Sequence, residues 1–286
     1  MSKNKKLAQT KVPRHIVITA KILYLFSSYL AEKFARKLFF TPIRYKTPKR
    51  EHPMLKNTNK SVLYVPTINK TIAVYEYGQS DKKVLLIHGW SGRGTQLFKI
   101  ADELVKNGYS TLSFDAPAHG KSKGNKAMML DFIVCILELE KKHGPFEFAI
   151  GHSLGGMSLL NAISRGLDVK KAVIISSGNN VIEILEDFVE RLGLPIRIAQ
   201  KMKRNIERKY GMEMESLSSD IAASEVEIPI LAIHDNHDFD VPVHTAYEIT
   251  KNLSNHELMI TNELGHRKIL GDKAVIQRIM TFILSK

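Results

Sequence analysis

The 286-residue chain has one cysteine, one tryptophan and almost no acid in its first 60 residues. With Cys135 as its single thiol no disulfide framework can form, which points to a cytoplasmic location. Cys135 lies in an apolar stretch over 128–142 that reads as a helix, where a buried structural thiol is the expectation. Long uninterrupted apolar runs are also missing. The best candidate, Ile16–Ala31, is interrupted by Lys21 and as a helix would reach only ~24 Å, against a hydrocarbon core of ~30 Å. No small-residue cleavage pattern closes it, so a secretory signal fits poorly.

Lys and Arg number 42 against 29 Asp and Glu, a net charge of +13. The excess is confined to one end. Residues 1–60 hold 15 Lys and Arg against Glu32 and Glu51, whereas 61–286 hold 27 charges of each sign. The basic character is therefore no evidence that the larger part binds nucleic acid or an anionic substrate. The chain reads as a basic extension over 1–60 and a domain over 61–286. Within the extension an apolar to amphipathic helix is expected at about 15–40, followed by an extended connector carrying three prolines. Three readings are open for that helix: it lies on an anionic membrane surface, at the inner membrane face, or it packs on the domain, or it anchors the chain.

Between residues 146 and 166 the pattern is a buried strand, then Gly151-His152-Ser153-Leu154-Gly155, then an apolar helix. A serine hydroxyl works as a nucleophile only when lifted clear of the backbone, which takes a strained turn flanked by small residues. G-x-S-x-G by itself is common, but here the strand before and the helix after are both in place. A serine also needs a base, and the base an orienting acid. Downstream, the strand Pro229–Ile233 runs into a loop with Asp235, Asp238 and Asp240, and the strand His256–Ile260 is followed by His266. Serine, aspartate and histidine thus follow one another at strand C-terminal ends, where open α/β sheets place their chemistry.

These pieces resemble the α/β-hydrolases of the serine-esterase or lipase kind, from roughly residue 61 onward. Further matching pieces are His88-Gly89-Trp90 after the strand 84–87 and Asp115-Ala-Pro-Ala-His119-Gly120-Lys-Ser122 after the strand 110–114. The resemblance implies Ser153 as nucleophile, His266 as general base and Asp238 as acid, with Asp235 and Asp240 close enough to compete. Where the family usually has glycine after the loop's first histidine, this chain has Asp235. The oxyanion would meet the N–H of Leu154, at the positive end of the elbow helix, and by resemblance the N–H of Trp90. Asp115 and His119 read as loop scaffold.

The implied fold is a mostly parallel sheet with helices on both faces, opened by a hairpin over 61–77. About 50 residues separate the strand at 172–176 from that at 230, too many for a simple crossover. Helices over 181–192 and 195–210 there read as a cap insertion at about 177–225, the alternative being ordinary surface helices. Gly89, Gly92 and Gly94 imitate a dinucleotide fingerprint, but G-x-x-G-x-G is the wrong spacing. His234, His237, Asp238, Asp240 and His244 show no zinc-type spacing. No metal or cofactor is expected. The expected activity is hydrolysis of a small-molecule carboxylic ester or thioester through an acyl-enzyme. Amide or C–C hydrolysis, acyl transfer and a membrane-tethered non-catalytic binding protein remain as alternatives.

Overall fold

A computed structural model describes residues 12–285; the first eleven residues of the basic extension and Lys286 lie outside it. The sheet has eight strands: β1 (Asn59–Val65), β2 (Lys70–Tyr77), β3 (Lys83–Ile87), β4 (Ser110–Asp115), β5 (Phe148–His152), β6 (Lys171–Ile175), β7 (Ile230–Asp235) and β8 (His256–Thr261). Their order is β1-β2-β4-β3-β5-β6-β7-β8. The hairpin β1–β2 joins antiparallel against β4, and the other six strands run parallel. Strands covered on both faces must be apolar throughout. β3 and β6 are accordingly buried after their first residue, and β5 and β7 throughout. Alternation splits them between two cores: in β3, Leu85 and Ile87 face one layer and Val84 and Leu86 the other.

The second layer is the smaller, built from α4 (Phe98–Lys106) and α12 (Lys273–Leu284). On the first face lie α5 (Met129–His143), α6 (Leu154–Ile163), α9 (Ser219–Ala223) and α10 (His244–Asn252). The same apolar cluster takes in the insertion helices α7 (Val181–Arg191) and α8 (Arg197–Tyr210), and also α1 (Arg14–Phe26) and α2 (Ser28–Phe39). The remaining helices are short: α3 (His52–Lys56) and α11 (Gly265–Lys268).

The helix expected over 15–40 is two helices. Ser27 adopts an extended conformation, and its hydroxyl caps α2 by accepting from Tyr29 N–H at 3.2 Å. Ala20, Ala31 and Ala35 are fully buried in the main core, so one side of this pair packs on the domain. Among the described residues no helix is long and apolar enough to cross a membrane, which removes the anchor reading for them. The connector is not simply extended either. Residues 49–56 coil into a 3-10 turn and α3, and the buried Glu51 carboxylate accepts from Thr95 Oγ1 at 2.6 Å and pairs with Arg93 at 3.1 Å. Arg44 donates to the carbonyls of Ala118, Ser122 and Gly124 at 2.9, 2.6 and 2.8 Å. α4 begins only at Phe98, because turns at Gly92 and Gln96 occupy the preceding residues.

Candidate active site

The strand order reverses direction at β3: the chain steps from β3 out to β4, then returns so that β5 lies on the other flank of β3. Such a switch point opens a crevice at the strand C-terminal ends. Here it holds the loop at residues 88–90 and the turn at Ser153.

Ser153 joins β5 to α6 with φ 56° and ψ −123°, a left-handed conformation that costs a non-glycine residue about 1–3 kcal/mol. Its N–H is tied to the Ile175 carbonyl at 2.9 Å, and its side chain is half-buried. The space around it allows only glycine. A Cβ on Gly155 would stand 2.5 Å from the Ile87 carbonyl oxygen, and one on Gly151 2.5 Å from that of Gly155. On Gly89 it would stand 2.9 Å from Ser153 Cβ, which shows how closely the two loops approach.

His88 fixes the direction of that facing loop. It is buried, and its Nε2 accepts from Ala116 N–H at 3.1 Å, so the proton sits on Nδ1 and is donated to the Gly89 carbonyl at 2.7 Å. Gly92 N–H donates to the same carbonyl at 3.0 Å. In a planar trans peptide the N–H lies opposite the C=O, so Trp90 N–H points away from the loop interior. Among the described residues neither Trp90 N–H nor Leu154 N–H donates to a protein acceptor. The Trp90 ring meets His119 edge-on at 5.1 Å. Burial holds His88 and His119 neutral, with pKa values lowered to about 4 and about 3.

His266, in α11, places Nδ1 2.8 Å from Asp238 Oδ2. The Asp238 side chain is fully buried and His266 is 14 % exposed. Burial works against the Asp238 charge, but the His266 hydrogen bond and the Val241 N–H (2.8 Å) outweigh it and hold the carboxyl below the ordinary carboxylate range. A carboxylate can only accept, so Nδ1 carries the proton and Nε2 is left as the basic nitrogen. His234 lies 3.7 Å from the same oxygen, with Nε2 also 2.9 Å from the Val241 carbonyl, and burial lowers its pKa.

Of the three candidate acids, His266 meets Asp238. Asp235 is committed elsewhere: it accepts from Thr261 Oγ1 at 2.7 Å, His237 N–H at 2.9 Å and Leu264 N–H at 3.1 Å. It staples the end of β7 to the segment carrying His266, a role the sequence reading missed; the signal was an Asx turn, Asp followed two residues on by its own backbone donor. His152 was missed as well. Buried next to Ser153 in the chain, it lies 2.9 Å from the His266 carbonyl through Nε2, and the two rings are 4.6 Å apart. Desolvation, with the nearby His266, lowers its pKa to about 3, so it is a neutral donor. Asp115 accepts from Tyr75 Oη, Gly94 N–H and Lys121 N–H at 2.7, 2.7 and 2.6 Å, the scaffold duty expected of it. Of the glycines that imitated a nucleotide fingerprint, Gly94 is thus tied to Asp115, and Gly92 N–H to the Gly89 carbonyl.

A family model described as serine aminopeptidase, S33, matches residues 78–253, more than half of the chain. A curated Escherichia coli O81 (strain ED1a) protein, 2-hydroxy-6-oxononadienedioate/2-hydroxy-6-oxononatrienedioate hydrolase, is 31 % identical over 121 residues, which span 37 % of this chain and 40 % of that protein. Among solved structures, a Pyrococcus furiosus esterase superposes with TM-score 0.64 at 18 % identity, over 85 % of this chain and 95 % of the other. An esterase from Exiguobacterium antarcticum gives 0.62 at 15 %, over 79 % and 100 %. A Bacillus anthracis bromoperoxidase gives 0.60 at 16 %, over 80 % and 100 %. A frame shared by an esterase and a bromoperoxidase establishes architecture and leaves the reaction to the site.

Proposed function

The chain belongs to the S33 serine aminopeptidase-like family of α/β-hydrolases, and on that footing we propose that it is a serine hydrolase cleaving a small carboxylic ester or thioester through an acyl-enzyme. Ser153 Oγ attacks the carbonyl carbon while His266 Nε2 takes its proton. Asp238 holds the imidazole tautomer and balances the imidazolium that forms. The negative charge on the former carbonyl oxygen is met by the N–H groups of Trp90 and Leu154, each such donor being worth roughly 10²–10³ in rate. His266 then protonates the leaving group, and water deacylates the enzyme through the same base.

The observation that carries this reading is the 2.8 Å bond from His266 Nδ1 to the buried Asp238. A pure binding protein has no use for an imidazole oriented by a buried carboxylate and packed on the residue that precedes a strained serine. The insertion helices α7 and α8 are proposed as the cap that sizes the acyl pocket. Support comes from Gly178 at their entry, where a Cβ would stand 2.8 Å from Met157 Sδ of the elbow helix and 3.3 Å from Ile184.

A labelled fluorophosphonate is expected to modify the wild type and spare Ser153→Ala. Equal labelling of both would remove Ser153 as nucleophile. Turnover of a graded set of nitrophenyl esters would then define the acyl group. The curated relative supports a second reading, C–C bond hydrolysis on the same residues. Labelling without ester turnover, accompanied by cleavage of a 2-hydroxy-6-oxo-dienedioate, would favour it.

A further inference from the structure

One side of α1 is buried, and the other carries four apolar side chains with His15 among them. At ~100° per residue, Ile18, Ile22, Leu25 and Phe26 fall within one sector of about 100° opposite Ala20. They are 56, 48, 82 and 81 % exposed. The patch continues across the break at Ser27 to Tyr29 and Leu30, 56 and 43 % exposed. From Tyr29 the ridge of α2 becomes basic, because Lys33 and Lys37 follow at one and two turns and both are exposed. α8 lies alongside, with Arg197 over the Tyr24 ring at 5.1 Å and Lys201 over Tyr29 at 5.7 Å. Together α1, α2 and α8 carry eleven Lys and Arg against Glu32 and Glu207, and both acids are already paired, with Arg36 and Lys203.

Where α2 and α8 meet the 126–131 segment there is a cavity of about 410 Å³. Lys33, Lys37, Lys126 and Lys209 line it, and none of the four pairs with a carboxylate among the described residues. Its Asp131 is neutralised by Lys70 at 2.9 Å.

We propose that the α1–α2–α8 face is a docking surface for an anionic phospholipid bilayer, with Ile22, Leu25 and Phe26 entering the acyl boundary and the lysines of α2 and α8 meeting headgroup phosphates. Apolar side chains rimmed by lysine suit an interface whose depth is oily and whose surface is negative. A soluble anion or nucleic acid would use the cations and leave Leu25 and Phe26 in water. A second copy of the chain, docked on the same face, would set eleven cations against eleven. The sequence ahead of α1 adds Lys3, Lys5, Lys6 and Lys11 on the same end of the chain. The inference is independent of the hydrolase reading.

The test is co-sedimentation of the full chain with vesicles of phosphatidylglycerol mixed into phosphatidylcholine, and with pure phosphatidylcholine. Binding is expected to the anionic vesicles alone and to weaken with salt, as the screening length falls from ~30 Å to ~8 Å. Leu25→Ser with Phe26→Ser, and separately Lys33→Glu with Lys37→Glu, should each lower partitioning by about 10-fold or more. All four side chains are exposed, so thermal melts should match the wild type. Equal binding to neutral vesicles, no binding by the wild type at low salt, or unchanged partitioning of both variants would overturn the proposal. So would a Leu25→Ser/Phe26→Ser variant that loses self-association in light scattering while still binding vesicles.

Discussion

Mild acid is expected to dismantle this protein through its buried histidines. His88, His119 and His152 are at most 2 % exposed, and burial drops their pKa values from the ordinary 6.5 to about 4, about 3 and about 3. Each is neutral when folded and takes up a proton when unfolded. A depressed folded pKa gives stability that is complete above 6.5 and lost as pH falls toward the folded value, because in that window the unfolded chain binds more protons. At about pH 5.5 the unfolded state gains RT ln 11 per histidine, about 1.4 kcal/mol, and three give about 4 kcal/mol. At about pH 5 the sum reaches about 6 kcal/mol, against a typical domain stability of ~5–15 kcal/mol. The figure is set by the unfolded state, so it holds for any folded pKa well under 5. His234 acts in the same direction, and Glu51, whose carboxyl burial raises, offsets part of one histidine. Urea melts at pH 7.5, 6.5, 5.5 and 5 should show the unfolding midpoint falling steeply below 6.5, with fluorophosphonate labelling of Ser153 lost in parallel. His119→Asn should remove about one proton from the slope. A midpoint unchanged between pH 7.5 and 5 would refute the argument, since it would mean these imidazoles bind no fewer protons folded than unfolded.

Four other substitutions separate chemistry from scaffold. Asp238→Asn should lower kcat by about 10³–10⁴ with little change in KM, because the amide favours the wrong imidazole tautomer. Asp235→Asn weakens the staple without touching His266, so a loss of ~1–3 kcal/mol should appear in thermal melts with a much smaller kcat change. Gly155→Ala drives a Cβ to 2.5 Å from the Ile87 carbonyl and should cost ~1–3 kcal/mol or more, together with Ser153 labelling. Arg44→Ala frees three carbonyls of the 118–124 loop; a drop in kcat/KM with intact labelling is expected, measured by steady-state kinetics.

The elbow at Ser153 was legible because everything it needs is local: a strand, two glycines and a helix within about twenty residues. For the acid the resemblance pointed to Asp238 but left Asp235 and Asp240 competing, since three carboxylates in one loop differ in sequence by a few positions and in space by which way each points. The turn made by Asp235, with its own N–H partner at His237, sends it toward Thr261 and Leu264 and leaves Asp238 for His266. His152 and His88 gave no sequence signal of their roles. A histidine donating to a backbone carbonyl 114 residues away, as His152 does, has no periodicity to betray it.

The N-terminal pair shows the same division. Apolar spacing announced a helix over 15–40, but the burial of Ala31 and Ala35 depended on α7 and α8, which pack against α2 from far along the chain. By itself the sequence determined the strand and helix content, the order of serine, aspartate and histidine, and the confinement of the basic excess to the first 60 residues, because pattern, chain order and composition are properties of neighbours along the chain. Only the tertiary structure decided that β3 lies beside β5, bringing Gly89 against Ser153, and that the loops after β7 and β8 close so that Asp238 meets His266. Strand order is fixed by which apolar faces bury one another at a distance, and nothing local encodes it.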